Sequence, residues 1–139
     1  MTSDGEHRNG APREVVLVVD DEPIVLRVFS GILESGGYRV LAAPGADEAL
    51  EIFRRESRID LLLTDVVMPF VTGPELADTL LLFDPDLRIL FTAGLPDSPL
   101  IRRSVLGRGY AFLPKPFLPS ELLAMVRKVL ARSVAAHAR

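Results

Sequence analysis

Five short apolar runs, each followed by a polar break and then a helical pattern, organise this chain. The first, Val15–Val19, is a β-branched run of the kind that makes a strand buried on both faces. Similar short runs at Tyr38–Ala42, Asp60–Thr64, Leu87–Thr92 and Tyr110–Leu113 predict four more strands. Between the first two, Ile24, Leu26, Val28, Phe29, Ile32 and Leu33 recur at helical spacing. Pro23 suits that helix's first turn, Asp21 and Glu22 the positive end of its dipole, and Gly36-Gly37 its end. A second helix is expected over Ala46–Arg55, with Ala49, Leu50, Ile52 and Phe53 on its inner face, and a third over Glu75–Phe83, closed by Asp84-Pro85. A short helix at Pro99–Leu106 should end at Gly107 and Gly109. The last helix, opened by Pro119, Ser120 and Glu121, should run over Leu122–Arg132 with Leu122, Leu123, Val126, Val129 and Leu130 as one stripe.

Strands alternating with helices five times over imply βαβ units, hence an α/β doubly wound parallel sheet with right-handed crossovers covering both faces. Residues 1–13 are polar and aperiodic and read as a disordered leader; residues 14–132 form the domain, and 133–139 a frayed tail.

The strand ends carry the chemistry. Apolar runs end in Asp20-Asp21, Asp65, Thr92 and Lys115, and the ends of parallel strands are where such sheets gather their ligands. Three carboxylates, a hydroxyl and an ammonium at one edge suit a divalent cation together with a phosphoryl group. The adjacent pair Asp20-Asp21 would raise one of its own pKa values by repulsion, and Asp65 adds to that, so the cluster predicts a cation. An alternative is that Asp20, Asp21 and Glu22 only cap the first helix, but a cap needs one acidic residue rather than three. Hard oxygen ligands favour Mg²⁺, or Mn²⁺, over zinc. Asp65, rigidly mounted before the loop Val66–Thr72, is a candidate metal ligand, nucleophile, or both. Lys115 and Thr92 could each hold one oxygen of a phosphoryl group on Asp65, which is catalysis by positioning. Lys115-Pro116 is a candidate cis bond that would aim the lysine.

Composition narrows the setting. Hydrophobic residues make up 48% of the 139 and charged residues 25%, as in an ordinary soluble domain. There is no cysteine, which excludes disulfides, thiolate metal sites and a cysteine nucleophile. No apolar stretch approaches the roughly 18 residues of a membrane span, and the N-terminus lacks a signal-peptide core, so a cytoplasmic protein is expected. The formal charge of −3 gives no case for direct nucleic-acid binding. It is unevenly spread: residues 1–96 hold 8 Lys and Arg against 17 Asp and Glu, while residues 97–139 hold 8 against 2. That asymmetry is either a bias of solvated faces or a basic C-terminal face for a partner.

The segments VVDDEP, DVVMP, FTA and LPKPF, in this order and spacing, resemble the receiver domain of two-component response regulators, over about residues 14–132. The resemblance implies a flavodoxin-like (βα)₅ fold with strand order 2-1-3-4-5. It implies phosphoryl transfer to Asp65 from a phosphohistidine on a sensor histidine kinase or phosphotransfer protein. It also implies Mg²⁺ held directly by Asp21 and Asp65, by Asp20 mainly through water, and by the backbone carbonyl of Val67. Thr92 and Lys115 carry over as phosphoryl contacts, and Thr92 with Phe112 as the switch. The alternative for Phe112 is a plain core residue on the last strand.

The sequence departs from the family's usual MPxMDG loop, with Thr72 standing before Gly73, which alters a helix cap rather than the chemistry. Val67 and Gly94, two positions past Asp65 and Thr92, border the family's water path yet offer no polar side chain; slow loss of the phosphoryl group is expected. Output should come by docking of a protein target to the face built from Pro99–Leu106, Tyr110–Leu113 and Leu122–Arg132, which carries Arg102, Arg103, Arg108, Arg127 and Lys128, or by homodimerisation through it. Two other readings compete. A phosphorylation-independent scaffold sits poorly with an intact residue set. A haloacid dehalogenase-type phosphatase needs a D-x-D motif after the first strand, where this chain has Asp20-Asp21-Glu22-Pro23.

Overall fold

The computed structural model describes residues 13–94 and 98–132. Five strands alternate with five helices: β1 (Val15–Val19), α1 (Pro23–Ser35), β2 (Arg39–Ala43), α2 (Ala46–Arg55), β3 (Leu61–Asp65), α3 (Gly73–Phe83), β4 (Arg88–Ala93), α4 (Pro99–Ser104), β5 (Ala111–Pro114) and α5 (Pro119–Leu130). All strand pairings are parallel and the order is β2-β1-β3-β4-β5, as in the flavodoxin-like fold. Most of the expected leader, 1–12, and the tail at 133–139 lie outside the described residues.

Alternation along the strands supplies two cores, one on each face of the sheet. Leu17, Leu62 and Phe91 point to the face covered by α2, α3 and α4, where they meet Ala49, Leu76, Leu80 and Ile101. Val18, Leu63 and Leu90 point to the other face and meet Phe29 and Leu33 of α1 and Leu122, Val126 and Val129 of α5. The central strands β1, β3 and β4 are thus dry on both faces, which is why they read as nearly unbroken apolar runs, while edge strand β2 is partly exposed.

Hydropathy places β2, β3, β4 and β5 one residue too early at both ends. The apolar residues ahead of them, Tyr38, Leu87 and Tyr110, are buried as plugs beneath the sheet rather than paired within it. Asp60 instead accepts a hydrogen bond from the Val15 backbone at 2.8 Å, closing the start of β1. At the other end each strand runs one residue further, to Ala43, Asp65, Ala93 and Pro114, so Asp65 belongs to β3 itself.

The helices are corrected in similar ways. α3 begins at Gly73 because Thr72 caps it: Thr72 Oγ1 accepts from the Glu75 amide at 3.2 Å and Glu75 Oε1 accepts from the Thr72 amide at 2.9 Å. α5 starts at Pro119, and Glu121 reaches back to the Leu118 amide at 2.7 Å. α4 stops at Ser104, and a 3₁₀ turn over Leu106–Arg108 leads to Gly109, whose φ of +79° only glycine takes freely. On α1, Ile24 and Val28 face outward, exposed by 73% and 52%, so its inner stripe is narrower than spacing predicts.

Candidate functional site

Three backbone bonds beyond the regular ladders lock the polar strand ends into one edge. Asp20 donates its amide to Ala43 O at 3.2 Å, Val66 to Thr92 O at 2.9 Å, and Lys115 to Ala93 O at 2.9 Å. Asp65 and Thr92 are register partners on β3 and β4. All four sequence signals therefore converge, Asp65 and Thr92 within strands and Asp20-Asp21 and Lys115 in the connections directly after β1 and β5.

Asp20 is wholly buried, with one oxygen accepting the Glu22 amide at 2.9 Å and the other 3.4 Å from Lys115 Nζ. Lys115 Nζ also lies 3.6 Å from Asp65 Oδ2. Asp21, next to Asp20, is exposed, and neither it nor Glu22 makes a side-chain cap for α1. The capping account of the acidic run thus fails for Asp21 and Glu22, and Asp20 folds back on its own turn while facing the lysine. The lysine's ammonium passes 5.9 Å from the Phe29 ring, itself 5.3 Å from Phe117. Hydropathy ranks Phe29 as core alone; only its neighbour across the sheet edge reveals that it walls in the lysine. Lys115-Pro116 is cis, as the sequence suggested.

Charge and desolvation set the chemistry. Oxygens of Asp20, Asp21 and Asp65 come within 4.8 Å of one another. Against three carboxylates, one buried, one half-buried and one exposed, stands one ammonium among the described residues, which leaves two formal negative charges uncompensated. That surplus, made of hard oxygen donors, fits a divalent cation of the Mg²⁺ class. Burial pushes the Asp65 carboxyl above its ordinary 3.8; Lys115 pulls it down and Asp20 pushes it up again.

A pH signature follows from that shift. The folded protein holds the Asp65 proton more tightly than the unfolded chain, so ionising it costs stability as pH rises through the interval above 3.8. In metal-free protein, Asp65→Asn is expected to unfold at higher denaturant than the parent near neutrality. The gap should close below about pH 4, where both forms are uncharged. Equal midpoints at neutral pH would contradict the burial of that charge.

Thr92 is the remaining part. It is wholly buried, and its Oγ1 is the single buried side-chain polar atom without a hydrogen-bond partner among the described residues. An orphaned hydroxyl of this kind costs stability unless another state satisfies it. Phe112 is half-buried, paired with Phe91 in the β4–β5 ladder, and packs on the α2–α3–α4 side. Val67 follows β3 with its side chain 60% exposed, and a Cβ on the exposed Gly94 would meet nothing within 4 Å. All five basic residues foreseen on the C-terminal face, Arg102, Arg103, Arg108, Arg127 and Lys128, are exposed. Arg108 is engaged: its guanidinium holds Asp78 of α3 at 3.0 and 3.4 Å and lies 5.2 Å from the Tyr110 ring centre.

Comparison with known proteins agrees with this geometry. The family model for the response regulator receiver domain matches residues 16–127. The chain is 35% identical over 116 residues to sensor kinase CckA of Brucella abortus, covering 83% of this chain but only 12% of that protein. It is 35% identical over 115 residues to the response regulator receiver protein CpdR of the same organism, covering 83% of this chain and 95% of the relative. Among solved structures, Vibrio cholerae chemotaxis protein CheY4 superposes with a TM-score of 0.76 at 30% identity, covering 84% of this chain and 98% of that one. Fold, strand-end residues and relatives converge on one assignment: the chain belongs to the response regulator receiver family.

Proposed function

We propose that this chain is a phosphorylation switch in which Asp65 accepts a phosphoryl group from a phosphohistidine on a sensor histidine kinase or phosphotransfer protein. An Asp65 carboxylate oxygen forms the new P–O bond as the P–N bond to the donor imidazole breaks. Asp20, Asp21 and Asp65, with the Val67 carbonyl, are the residues that would hold Mg²⁺ or Mn²⁺. Bound there, the ion would neutralise charge on the phosphoryl oxygens. Lys115, already within 3.6 Å of Asp65, would hold another of those oxygens.

The observation that carries this reading is Thr92: a buried, unpartnered hydroxyl in register with Asp65. A phosphoryl oxygen on Asp65 would supply the acceptor it lacks, and drawing Thr92 toward it would open space for Phe112 to turn inward. The resulting change would reach α4, β5 and α5, whose exposed Arg102, Arg103, Arg127 and Lys128 suit an acidic protein target or a second copy of the chain. The protein acts as a switch rather than as a turnover enzyme. No described helix is long and apolar enough to cross a membrane, and a cytoplasmic setting without direct nucleic-acid contact goes with this reading.

The test is incubation with Mg²⁺ and acetyl phosphate or beryllofluoride, comparing the parent with Asp65→Asn. The parent should gain one phosphoryl group, or change its fluorescence or chemical shifts with beryllofluoride, and the variant should do neither. An unresponsive parent, or an equal response in both, removes the assignment of Asp65.

The lifetime of the product is a second expectation. Neither Val67 nor Gly94 has a polar side chain to orient a water, so phospho-Asp65 should persist for minutes or longer; decay within seconds would refute this. Val67→Asn should shorten the lifetime by about tenfold or more, since it supplies a polar group on the water's path.

A further inference from the structure

Phe70 is anomalous in two respects. Its side chain is fully exposed, at 103% of the reference area, and belongs to neither core layer. Its φ is +71°, the left-handed region that bulky side chains avoid and that no other described non-glycine residue adopts. Strained, exposed positions of this kind concentrate where a binding function holds them in place. Among the described residues, Met68 of the same loop and Leu76 of the helix after it are in the core beneath, and Phe70 packs into neither core layer.

Phe70 also walls a cleft of about 300 Å³ between its own loop, Met68–Val71, and the start of α2 at Pro44–Glu48. The charged residues lining that cleft are Asp21, Asp47 and Glu48, with no basic residue among them. Asp21 connects the cleft to the acidic cluster around Asp65. A donor protein that brings a phosphohistidine to Asp65 must press its surface against this loop. A small acyl phosphate has no such need.

We propose that Phe70 and the acidic cleft beside it form the docking point of the phosphodonor protein. The ring inserts into an apolar patch on the donor, and Asp47 and Glu48 pair with basic side chains flanking that patch. This rests on Asp65 being the phosphoacceptor. An exposed aromatic placed by the backbone at the mouth of a reaction site is the type of residue that dominates binding energy at interfaces. The single sign of charge around it supplies orientation and encounter rate, and predicts a transfer rate that falls with salt.

The experiment uses the full chain with two donors: acetyl phosphate, and the autophosphorylated histidine kinases encoded in the same genome, ranked by transfer rate to the parent. Phe70→Asn, whose side chain tolerates left-handed backbone, should take phosphoryl groups from acetyl phosphate at the parental rate. It should take them at least about tenfold more slowly from the best kinase. Phe70→Tyr should retain transfer, and Asp47→Asn with Glu48→Gln should flatten its salt dependence. Parental transfer from the kinase to Phe70→Asn overturns the proposal, as does an equal loss with both donors, which would mark a loop that merely positions Asp65. Labelling by acetyl phosphate with no transfer from any kinase also overturns it. So does concentration-dependent self-association that Phe70→Asn abolishes, which would assign the face to a second copy. Failure of acetyl phosphate to label the parent strikes instead at the phosphoacceptor reading.

Discussion

Lys115→Met is expected to destabilise the metal-free protein by about 3 kcal/mol while tightening its hold on Mg²⁺. The lysine is the sole ammonium among the described contacts of Asp20 and Asp65, at 3.4 and 3.6 Å, and Asp20 has no exposure to water. Removing one partner of a buried pair leaves an uncompensated charge, which typically costs about 3–5 kcal/mol. The side-chain exposure of 24% at Lys115 and 14% at Asp65 places this case at the lower end. The same ammonium repels a divalent ion held by those carboxylates, so its removal should raise Mg²⁺ affinity, about tenfold for each 1.4 kcal/mol of repulsion relieved. Mg²⁺ should then restore most of the lost stability. Phosphoryl uptake from acetyl phosphate should still fall by about a hundredfold, because the cation that neutralises developing charge on the phosphoryl group is gone. Denaturant midpoints with and without Mg²⁺, a calorimetric Mg²⁺ titration and an uptake rate separate these effects. A variant as stable as the parent without metal would show that Lys115 does not compensate the acidic cluster.

Most of this site was legible in the sequence because the residues involved end apolar runs. A parallel strand buried on both faces reads as a nearly unbroken apolar stretch, so the polar residues at its end mark the edge where chemistry collects. Asp20, Asp65, Thr92 and Lys115 were visible on those grounds alone. The uniform one-residue error in β2 to β5 has the same root. Hydropathy cannot distinguish an apolar residue within a strand from one that plugs the sheet beneath it, as Tyr38, Leu87 and Tyr110 do. Contacts across the sheet edge were also beyond the sequence. The wall that Phe29 and Phe117 build around the lysine joins α1 to the loop before α5, and no local spacing encodes it.

The basic C-terminal face illustrates a different limit. Charge counting made Arg108 one of five equivalent residues, whereas the structure commits it to Asp78, an acidic residue of α3 in the net-acidic stretch 1–96. Its bidentate grip and the ring of Tyr110 beneath it tie the turn after α4 to α3. Tyr110 in turn meets Phe91 edge-on, with centroids 5.2 Å apart, and Phe91 directly precedes Thr92. The end of α4 is therefore fastened to the strand that carries the switch hydroxyl. Motion begun at Thr92 should appear first nearer the start of α4, around Pro99–Ile101, leaving the turn at Leu106–Arg108 as the fixed end.

Gly73→Ala should be among the most damaging single-methyl additions in the chain, costing about 3 kcal/mol and uncoupling Asp65 from phosphoryl donors. A Cβ built on Gly73 would overlap the Asp65 carbonyl oxygen and stand 3.1 Å from both the Asp65 carbonyl carbon and Val66 Cα. All three neighbours are backbone, so no side chain can swing aside to make room. The Gly73 amide is also bonded to Val66 O at 2.8 Å, which fixes how closely α3 approaches the end of β3. Relief must come from moving α3 away or from displacing Asp65, and overpacking of this kind typically costs about 1–3 kcal/mol or more. The functional loss should exceed what stability accounts for. Asp65 must meet a phosphorus atom while Thr92 and Lys115 meet its oxygens, and a misplacement of about 1 Å in such an arrangement can lower a rate a hundredfold. Under conditions where the variant is fully folded, its phosphorylation by acetyl phosphate should therefore remain at least about a hundredfold slower than the parent's. Gly31→Ala is the matched control, since a Cβ there meets nothing within 4 Å and the residue lies within α1. It should leave the uptake rate unchanged and raise helix stability slightly. Parental uptake in folded Gly73→Ala would mean that the close approach of α3 to β3 shapes the fold without positioning the reacting carboxylate.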